Sequence, residues 1–515
     1  QPQGHSTSGS HERYKSPERL QWEKENDCNK RFREWVLENK IATEEELKTL
    51  ERSIKQQVRN AKKEAWAEFL APQKQGKKEL LHILEQVSGQ SPNRVFIQKL
   101  RNDLEAIEEP LKKDLASHAR KALRWVVGEN HPPSQQLKQW IDRFMQTEQP
   151  KYSSHLYNEQ DNRATNIPAI KPEYNDASEM VDGRIILRDN FDALFAKYPK
   201  TLVFGEDTGN IGDVNQGLEG LQKKYGPLRV ADTGIRETSI IGQGIGMALR
   251  GLRPIAEIQY LDYILYGIQT LSDDLASLMY RTVGKQKAPL IVRTRGHRLE
   301  GIWHSGAPMG GLVHLLRVMY FLAPRDMTQA AGFYNTLLES DEPAVVIESL
   351  NGYRLKEKMP VNLAEFRTPI GKVETLKQGE DITVVSYGST LRLVSQAAEE
   401  LNTVGIAVEV IDAQSLLPFD IDHSVVESVK KTNRLLVVDE DVPGGCSAYI
   451  VQKIIEEQNA FQYLDSAPQT LTAKSHRPAY ASDGDYFSKP SAEDIFEKIY
   501  AIMHESNPNA YPKLR

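Results

Sequence analysis

The alternation of polar and apolar positions changes character along the chain. After a polar start, Leu47, Leu50, Ile54, Val58, Ala61 and Ala65 recur at helical spacing with charges between them. Thr43 and Glu46 have the spacing of a capping box at the start of that helix. From about residue 76 the pattern shifts: Leu104, Ile107, Leu111, Leu115 and Ala122 predict another amphipathic helix, and Asn130, Pro132 and Pro133 interrupt it. The stretch up to about 180 is mostly polar, with Pro150, Pro168 and Pro172, and is expected to be a connection that wraps over a surface. From about 176, short β-branched runs alternate with helix-length segments: TLVFGED (201–207), PIAEIQY (254–260), APLIVRT (288–294) and AVVIES (344–349). The same grammar returns after about 366 in DITVVSYG (381–388), VEVIDAQ (408–414) and RLLVVDED (434–441). Such alternation predicts an α/β chain with parallel sheets covered on both faces. The expected architecture is two successive α/β domains preceded by a mainly helical region, with segments 1–75, 76–175, 176–365 and 366–515.

Composition narrows this picture. The chain has 515 residues, 65 Lys plus Arg and 71 Asp plus Glu, for a formal charge of −6. That balance gives no electrostatic reason to expect nucleic acid or a membrane surface as partner. Cys28 and Cys446 cannot form a disulfide framework, which favours a reducing compartment, and a cytoplasmic location is expected. No run of about 18 apolar residues suggests a spanning helix. The first residue is Gln1 rather than Met, so a targeting segment stays open.

Candidate chemistry gathers in four places. Glu237 opens a glycine-rich, otherwise apolar segment, GIRETSIIGQGIGMALRG. On residue type alone it reads first as a carboxylate at a helix N-terminus, which the macrodipole favours. Gly242, Gly244 and Gly246 are expected to leave one helix face bare for close approach of a helix, a subunit or a ligand. Gln259, Tyr260 and Tyr263 lie at the carboxyl end of a predicted strand, the ligand edge of open α/β sheets, although a tyrosine there is equally a core residue. His297, Trp303, His304 and Ser305 fall in a glycine-rich loop after another predicted strand, a reasonable place for proton transfer. At the start, GHSTSGSHERY carries His5 and His11, in a composition that suits a disordered loop. No Cys/His set has zinc spacing, and no metal ligand is assigned.

Taken in order, GED, a Glu before a glycine-rich helix, AEIQYLDY and Trp-His-Ser resemble the β subunit of thiamine-diphosphate-dependent 2-oxoacid dehydrogenases over about 180–515. The resemblance includes the transketolase-like pyrimidine-binding and C-terminal domains. The first 75 residues resemble the end of the α subunit, with GHSTS and the following Arg-Tyr matching its active-site loop. The whole thus resembles a fused α–β first component. The resemblance implies that Glu237 hydrogen-bonds the aminopyrimidine of thiamine diphosphate and shares a proton with it. It also implies that Tyr263 stacks on that ring and that Gln259 and Tyr260 lie toward the substrate. His304 is implied to serve the later steps near an incoming lipoyl group, and His5 to stand beside cofactor and substrate.

The resemblance further implies oxidative decarboxylation of a 2-oxo acid, with AEIQYLDYI closer to the branched-chain enzymes, and acyl transfer to a lipoyl-bearing dihydrolipoyl acyltransferase. A homodimer is expected. Departures are clear too. The family's Gly-Asp-Gly motif, whose segment holds magnesium and the diphosphate, has no counterpart here. Gly9 and Ser10 replace an acidic pair, and no monovalent-cation ligands match around Leu337 to Glu342. The diphosphate and magnesium half of the site is therefore expected to lie outside 1–515, in a longer polypeptide. The rival readings are a transketolase-like enzyme on sugar phosphates and a non-catalytic assembly fragment.

Overall fold

The computed structural model describes residues 10–296, 304 and 307–514. Two compact units divide the chain, 1–152 and 153–515. Among the described residues, no helix is long and apolar enough to cross a membrane.

The first unit is helical: α1 (Pro17–Glu25), α2 (Cys28–Glu38), α3 (Glu44–Gln90), α4 (Arg94–Glu105), α5 (Lys112–Trp125) and α6 (Pro132–Glu148). The Thr43 hydroxyl accepts from the Glu46 amide and the Glu46 carboxylate accepts from the Thr43 amide, so the expected capping box starts α3. α3 then runs unbroken past residue 75, so the expected segment boundary there falls inside one helix. Its first half keeps Leu50, Ile54 and Val58 exposed, while Leu80, Ile83, Leu84 and Val87 of its second half are buried with Leu104, Leu115, Leu137 and Trp140. The single helix expected through Leu104–Ala122 is two, α4 and α5. Pro110 lacks an amide hydrogen and pushes Glu109 toward extended backbone, which breaks the run. Pro132 and Pro133 likewise open α6 rather than a loop, because the first helical turn needs no amide donors. The surface connection is therefore shorter than expected, beginning only after the helical unit ends at 152.

In the second unit the connection is pinned by buried polar bonds. Glu342 accepts from the Asn158 and Ala164 amides and from the Tyr320 hydroxyl. Fourteen strands follow in chain order: β1 (Met180–Asp182), β2 (Thr201–Gly205), β3 (Val230–Asp232), β4 (Arg253–Glu257), β5 (Ile291–Gly296), β6 (Tyr320–Leu322), β7 (Ala344–Ser349), β8 (Lys356–Lys358), β9 (Glu374–Lys377), β10 (Ile382–Ser386), β11 (Val408–Asp412), β12 (Ser415–Leu417), β13 (Leu435–Val438) and β14 (Gln469–Leu471). β1 and β8 pair as a small antiparallel ribbon. A seven-stranded sheet has the order β12-β6-β7-β5-β4-β2-β3, and a five-stranded sheet the order β14-β13-β10-β11-β9. Both are parallel apart from β12 and β9 at their edges. The runs read as strands are buried on both faces, as parallel sheets between helices require.

The helices α7 (Gly183–Lys197) and Met327–Glu339 cover one face of the first sheet, burying Phe191, Leu194, Phe333 and Tyr334. After the short α8 (Leu221–Tyr225), α9 (Glu237–Leu249) covers the other face. On that face Phe321 and Ile347 share a core with Ile411, Leu416 and Val437, so the two expected α/β domains, each with its own sheet, pack together in one compact unit. Glu357 of β8 accepts from the Met327 and Thr328 amides and the Thr328 hydroxyl, capping the helix Met327–Glu339. Burial, with the nearby Asp326 charge, pushes the Glu357 carboxyl up to about 7.

Candidate active site

The carboxyl ends of β2, β4 and β5 lie side by side, with Gly205 opposite Glu257 and Glu257 opposite Arg293. Gly205 permits this approach: a Cβ there would stand 2.6 Å from the Glu257 carbonyl oxygen. Glu206 and Asp207 follow β2, and Gln259 and Tyr260 follow β4. A 3-10 turn, Leu261–Gly267, carries Asp262 and Tyr263. Gly267 packs that turn against α9, since a Cβ there would meet the Ile241 side chain at 2.3 Å.

Glu237 is the first residue of α9 and only 7% exposed. Among the described residues, no hydrogen bond or ion pair engages its carboxylate. Glu206 is also buried. Its burial raises its carboxyl, and the charges of Glu237, Asp207 and Glu257 add to the rise. Two carboxyl groups therefore share a poorly solvated corner at the end of β2 and the start of α9.

Tyr263, Tyr260 and His304 form an aromatic cluster beside them. The Tyr263 hydroxyl and His304 Nε2 are 2.8 Å apart, and the Tyr260 ring lies 4.3 Å from the His304 ring, centroid to centroid. Burial raises the Tyr263 phenol, reinforced by Tyr260, Asp262, Glu206 and Glu237. Gln259 Nε2 donates to Asp207 at 2.8 Å, which leaves its amide oxygen to accept. Arg477, from the C-terminal half, reaches Asp262 at 3.2 Å. The structure thus brings Glu237, Gln259, Tyr260, Tyr263 and His304 to one end of the sheet. His5, His297, Trp303 and Ser305 lie outside the described residues.

The three α9 glycines do not share a face. A Cβ on Gly244 would stand 2.7 Å from Leu290, so Gly244 points into the core, whereas Gly242 and Gly246 meet nothing within 4 Å. Residues four apart share a helix face and residues two apart do not.

Beneath the site is a charge network that the strand pattern concealed. Arg293 and Arg295 of β5 are fully buried with Glu257, Asp213 and Glu348. Arg293 donates to Glu257 at 2.5 Å, Asp213 at 2.7 Å and Glu348 at 2.9 Å. Arg295 donates to Glu257 at 2.9 Å, and the Tyr353 and Tyr334 hydroxyls donate to Glu348. The two guanidinium groups hold the buried Asp213 carboxyl below its ordinary range. The available signal was two arginines at a spacing of two within an apolar run, which puts both on one face of the strand.

Separate segments of the chain match known families and proteins. Residues 2–73 match the dehydrogenase E1 component family, 179–356 the transketolase pyrimidine-binding domain and 371–495 the transketolase C-terminal domain. The chain is 34% identical over 307 residues to the pyruvate dehydrogenase E1 component subunit beta of Acholeplasma laidlawii, covering 59% of this chain and 92% of that protein. It is 32% identical over 314 residues to the 2-oxoisovalerate dehydrogenase subunit beta of Bacillus subtilis (strain 168), with the same coverage. A split-gene transketolase, solved as an inactive β4 tetramer, shares the fold with a TM-score of 0.50 at 18% identity, over 62% of this chain and 98% of that one. With the E1 segment, the pyrimidine-binding domain and the C-terminal domain following one another on a single polypeptide, the chain belongs to the family of thiamine-diphosphate-dependent 2-oxoacid dehydrogenase first components.

Proposed function

We propose that the chain carries out thiamine-diphosphate-dependent oxidative decarboxylation of a 2-oxo acid and passes the acyl product to the lipoyl group of a dihydrolipoyl acyltransferase. The observation that carries this reading is Glu237, a nearly buried carboxylate with no donor or cation among the described residues, next to Glu206. Buried carboxylates ordinarily have such a complement. A flat ring with ring-nitrogen and amino groups supplies one, and the aminopyrimidine of thiamine diphosphate fits that donor set beside the Tyr263 ring.

When bound, the cofactor supplies a nucleophilic carbon for the 2-oxo carbonyl. Glu237 holds a proton at the aminopyrimidine. Glu206, whose burial disfavours its charged form, lies in the same corner. Tyr260 and Gln259 face the substrate side, with the free Gln259 amide oxygen as acceptor. His304, in hydrogen-bond contact with Tyr263, holds or moves a proton as the acyl group leaves for lipoate. His5 is proposed as a further catalytic group, on the likeness of its loop to the α-subunit loop. Among the described residues, no group of three His, Cys, Asp or Glu side chains converges as a metal cluster, so magnesium is assigned to no residue.

Branched-chain 2-oxo acids are the proposed substrates, on the likeness of AEIQYLDYI to that branch of the family. A two-fold homodimer is the proposed assembly, with the open Gly242 and Gly246 positions at its contact. A full chain that sediments as an active monomer at nanomolar concentration would refute the dimer.

The central test is Glu237→Gln in the complete enzyme, saturated with thiamine diphosphate and magnesium. Decarboxylation read with an artificial electron acceptor should fall by about 10²–10⁴-fold with the circular dichroism unchanged. Near-normal turnover would overturn the assignment.

A further inference from the structure

We propose that Arg295 is a positioning residue for the substrate side of the site: its buried guanidinium sets the path of the chain leaving β4, and so where Tyr260 and Tyr263 stand against His304. The inference rests on the reading of that site given above.

Ladder pairing of β4 with β5 ends at Glu257 opposite Arg293, and the Ile258 amide then donates to the Arg293 carbonyl at 2.9 Å. The next carbonyl, that of Gln259, accepts instead from a side chain, Arg295 Nη1, at 3.1 Å. Tyr260 follows immediately, and the Tyr263 amide donates back to the Tyr260 carbonyl at 2.9 Å, starting the turn that carries the aromatic cluster. One planar group therefore replaces the sheet at the point where the chain turns toward the site.

That group is itself held on its other sides. Arg295 Nη2 donates to Glu257 at 2.9 Å, and Nε donates to the Tyr353 hydroxyl at 3.0 Å, with the Tyr353 hydroxyl in turn donating to Glu348. Asp213 lies 3.5 Å from the same Nη2. A guanidinium offers donors in a rigid fork, whereas an ammonium has no fixed plane and cannot reach three acceptors so separated.

Stability alone is a poor account of this investment. Arg293, Arg295, Asp213, Glu257 and Glu348 are all at 0% exposure. Burying ionised groups costs desolvation free energy, and well-packed apolar replacements are often as stable or more so. What such a network provides that apolar packing does not is a directed contact, and Arg295 aims one at the backbone between the strand and the site.

The test uses the complete enzyme with thiamine diphosphate and magnesium, comparing Arg295→Lys and the milder Tyr353→Phe with the wild type. Amide hydrogen exchange should accelerate in 259–263 in both variants, at least tenfold in Arg295→Lys, with the remaining strands of the sheet unchanged. KM for 3-methyl-2-oxobutanoate should rise about tenfold in Arg295→Lys and about threefold in Tyr353→Phe. The dissociation constant for thiamine diphosphate should stay within twofold. If Arg295→Lys does not fold, Tyr353→Phe decides by the same readouts. Unchanged exchange in 259–263 overturns the inference, as does an increase spread evenly over the sheet. A wild-type chain that turns over neither 3-methyl-2-oxobutanoate nor pyruvate would defeat the reading of the site, and the exchange result would still decide the positioning role.

Discussion

The Tyr263 hydroxyl meets His304 Nε2 at 2.8 Å, joining a residue after β4 to one from the loop after β5. The tyrosine holds the imidazole in one orientation and shares whichever proton lies between them. If His304 serves acyl transfer, His304→Ala should lower the lipoyl-dependent rate by about 10²-fold or more, and decarboxylation with an artificial acceptor much less. Tyr263→Phe should show the same bias more weakly. Equal losses in both assays would move His304 to the earlier step.

Glu357 predicts a pH signature in stability. Its carboxyl is raised to about 7 in the folded chain, so between the ordinary value of 4.5 and about 7 the folded state binds more protons than the unfolded one. Stability should therefore fall as pH rises through that window, by on the order of 3 kcal/mol from this group. Glu357→Gln, which does not titrate, should flatten that slope even if its altered cap lowers the whole curve. Denaturant midpoints measured from pH 4.5 to 8 give the answer, and an unchanged slope would refute it.

Two glycines in one helix should respond oppositely. Gly244→Ala places a methyl group 2.7 Å from the buried Leu290 and should cost about 1 kcal/mol or more. Gly246→Ala meets open space within one chain and should stabilise α9 by about 0.5–1 kcal/mol in the monomer, where the proposed dimer contact is absent. Thermal unfolding of the pair is the measurement. The same sign for both would mean that Gly244 does not pack as described.

Thr43→Ala removes the hydroxyl half of the capping box on α3 and should cost about 1 kcal/mol in the helical unit. The change should appear in amide exchange of the first turns of α3, with the second unit unaffected. A uniform change across both units would argue against a local cap.

Much of the architecture was legible because parallel strands buried on both faces are nearly continuous apolar runs, and AVVIES coincides with β7 residue for residue. Glu237 was legible as a helix start because the glycine-rich segment follows it directly. The failures have local causes. Pro110 outweighed an apolar spacing that looked continuous, and Pro132 started a helix where it was read as a break. The glycines of α9 resemble one stripe in the sequence, but a spacing of two falls on different sides of a helix with 3.6 residues per turn. Arg293 and Arg295 were hidden in a strand because their meaning depends on Glu257 and Glu348, distant in sequence and adjacent only in the sheet. The meeting of Tyr263 with His304 has the same origin, since no local pattern joins two loops after different strands.

β12 is the edge strand of a sheet whose other six strands all end by Ser349. A nascent chain emerging from the ribosome can assemble those six before Ser415–Leu417 exist. Until then the outer side of β6 presents unpaired backbone groups, a template for capture by a neighbouring chain. In the interval between release of Ser349 and release of Leu417, that side of the sheet is an opening for aggregation. Any stop codon in that interval would yield a species with a permanently open edge, which quality-control proteases and chaperones would meet as a misfolded protein.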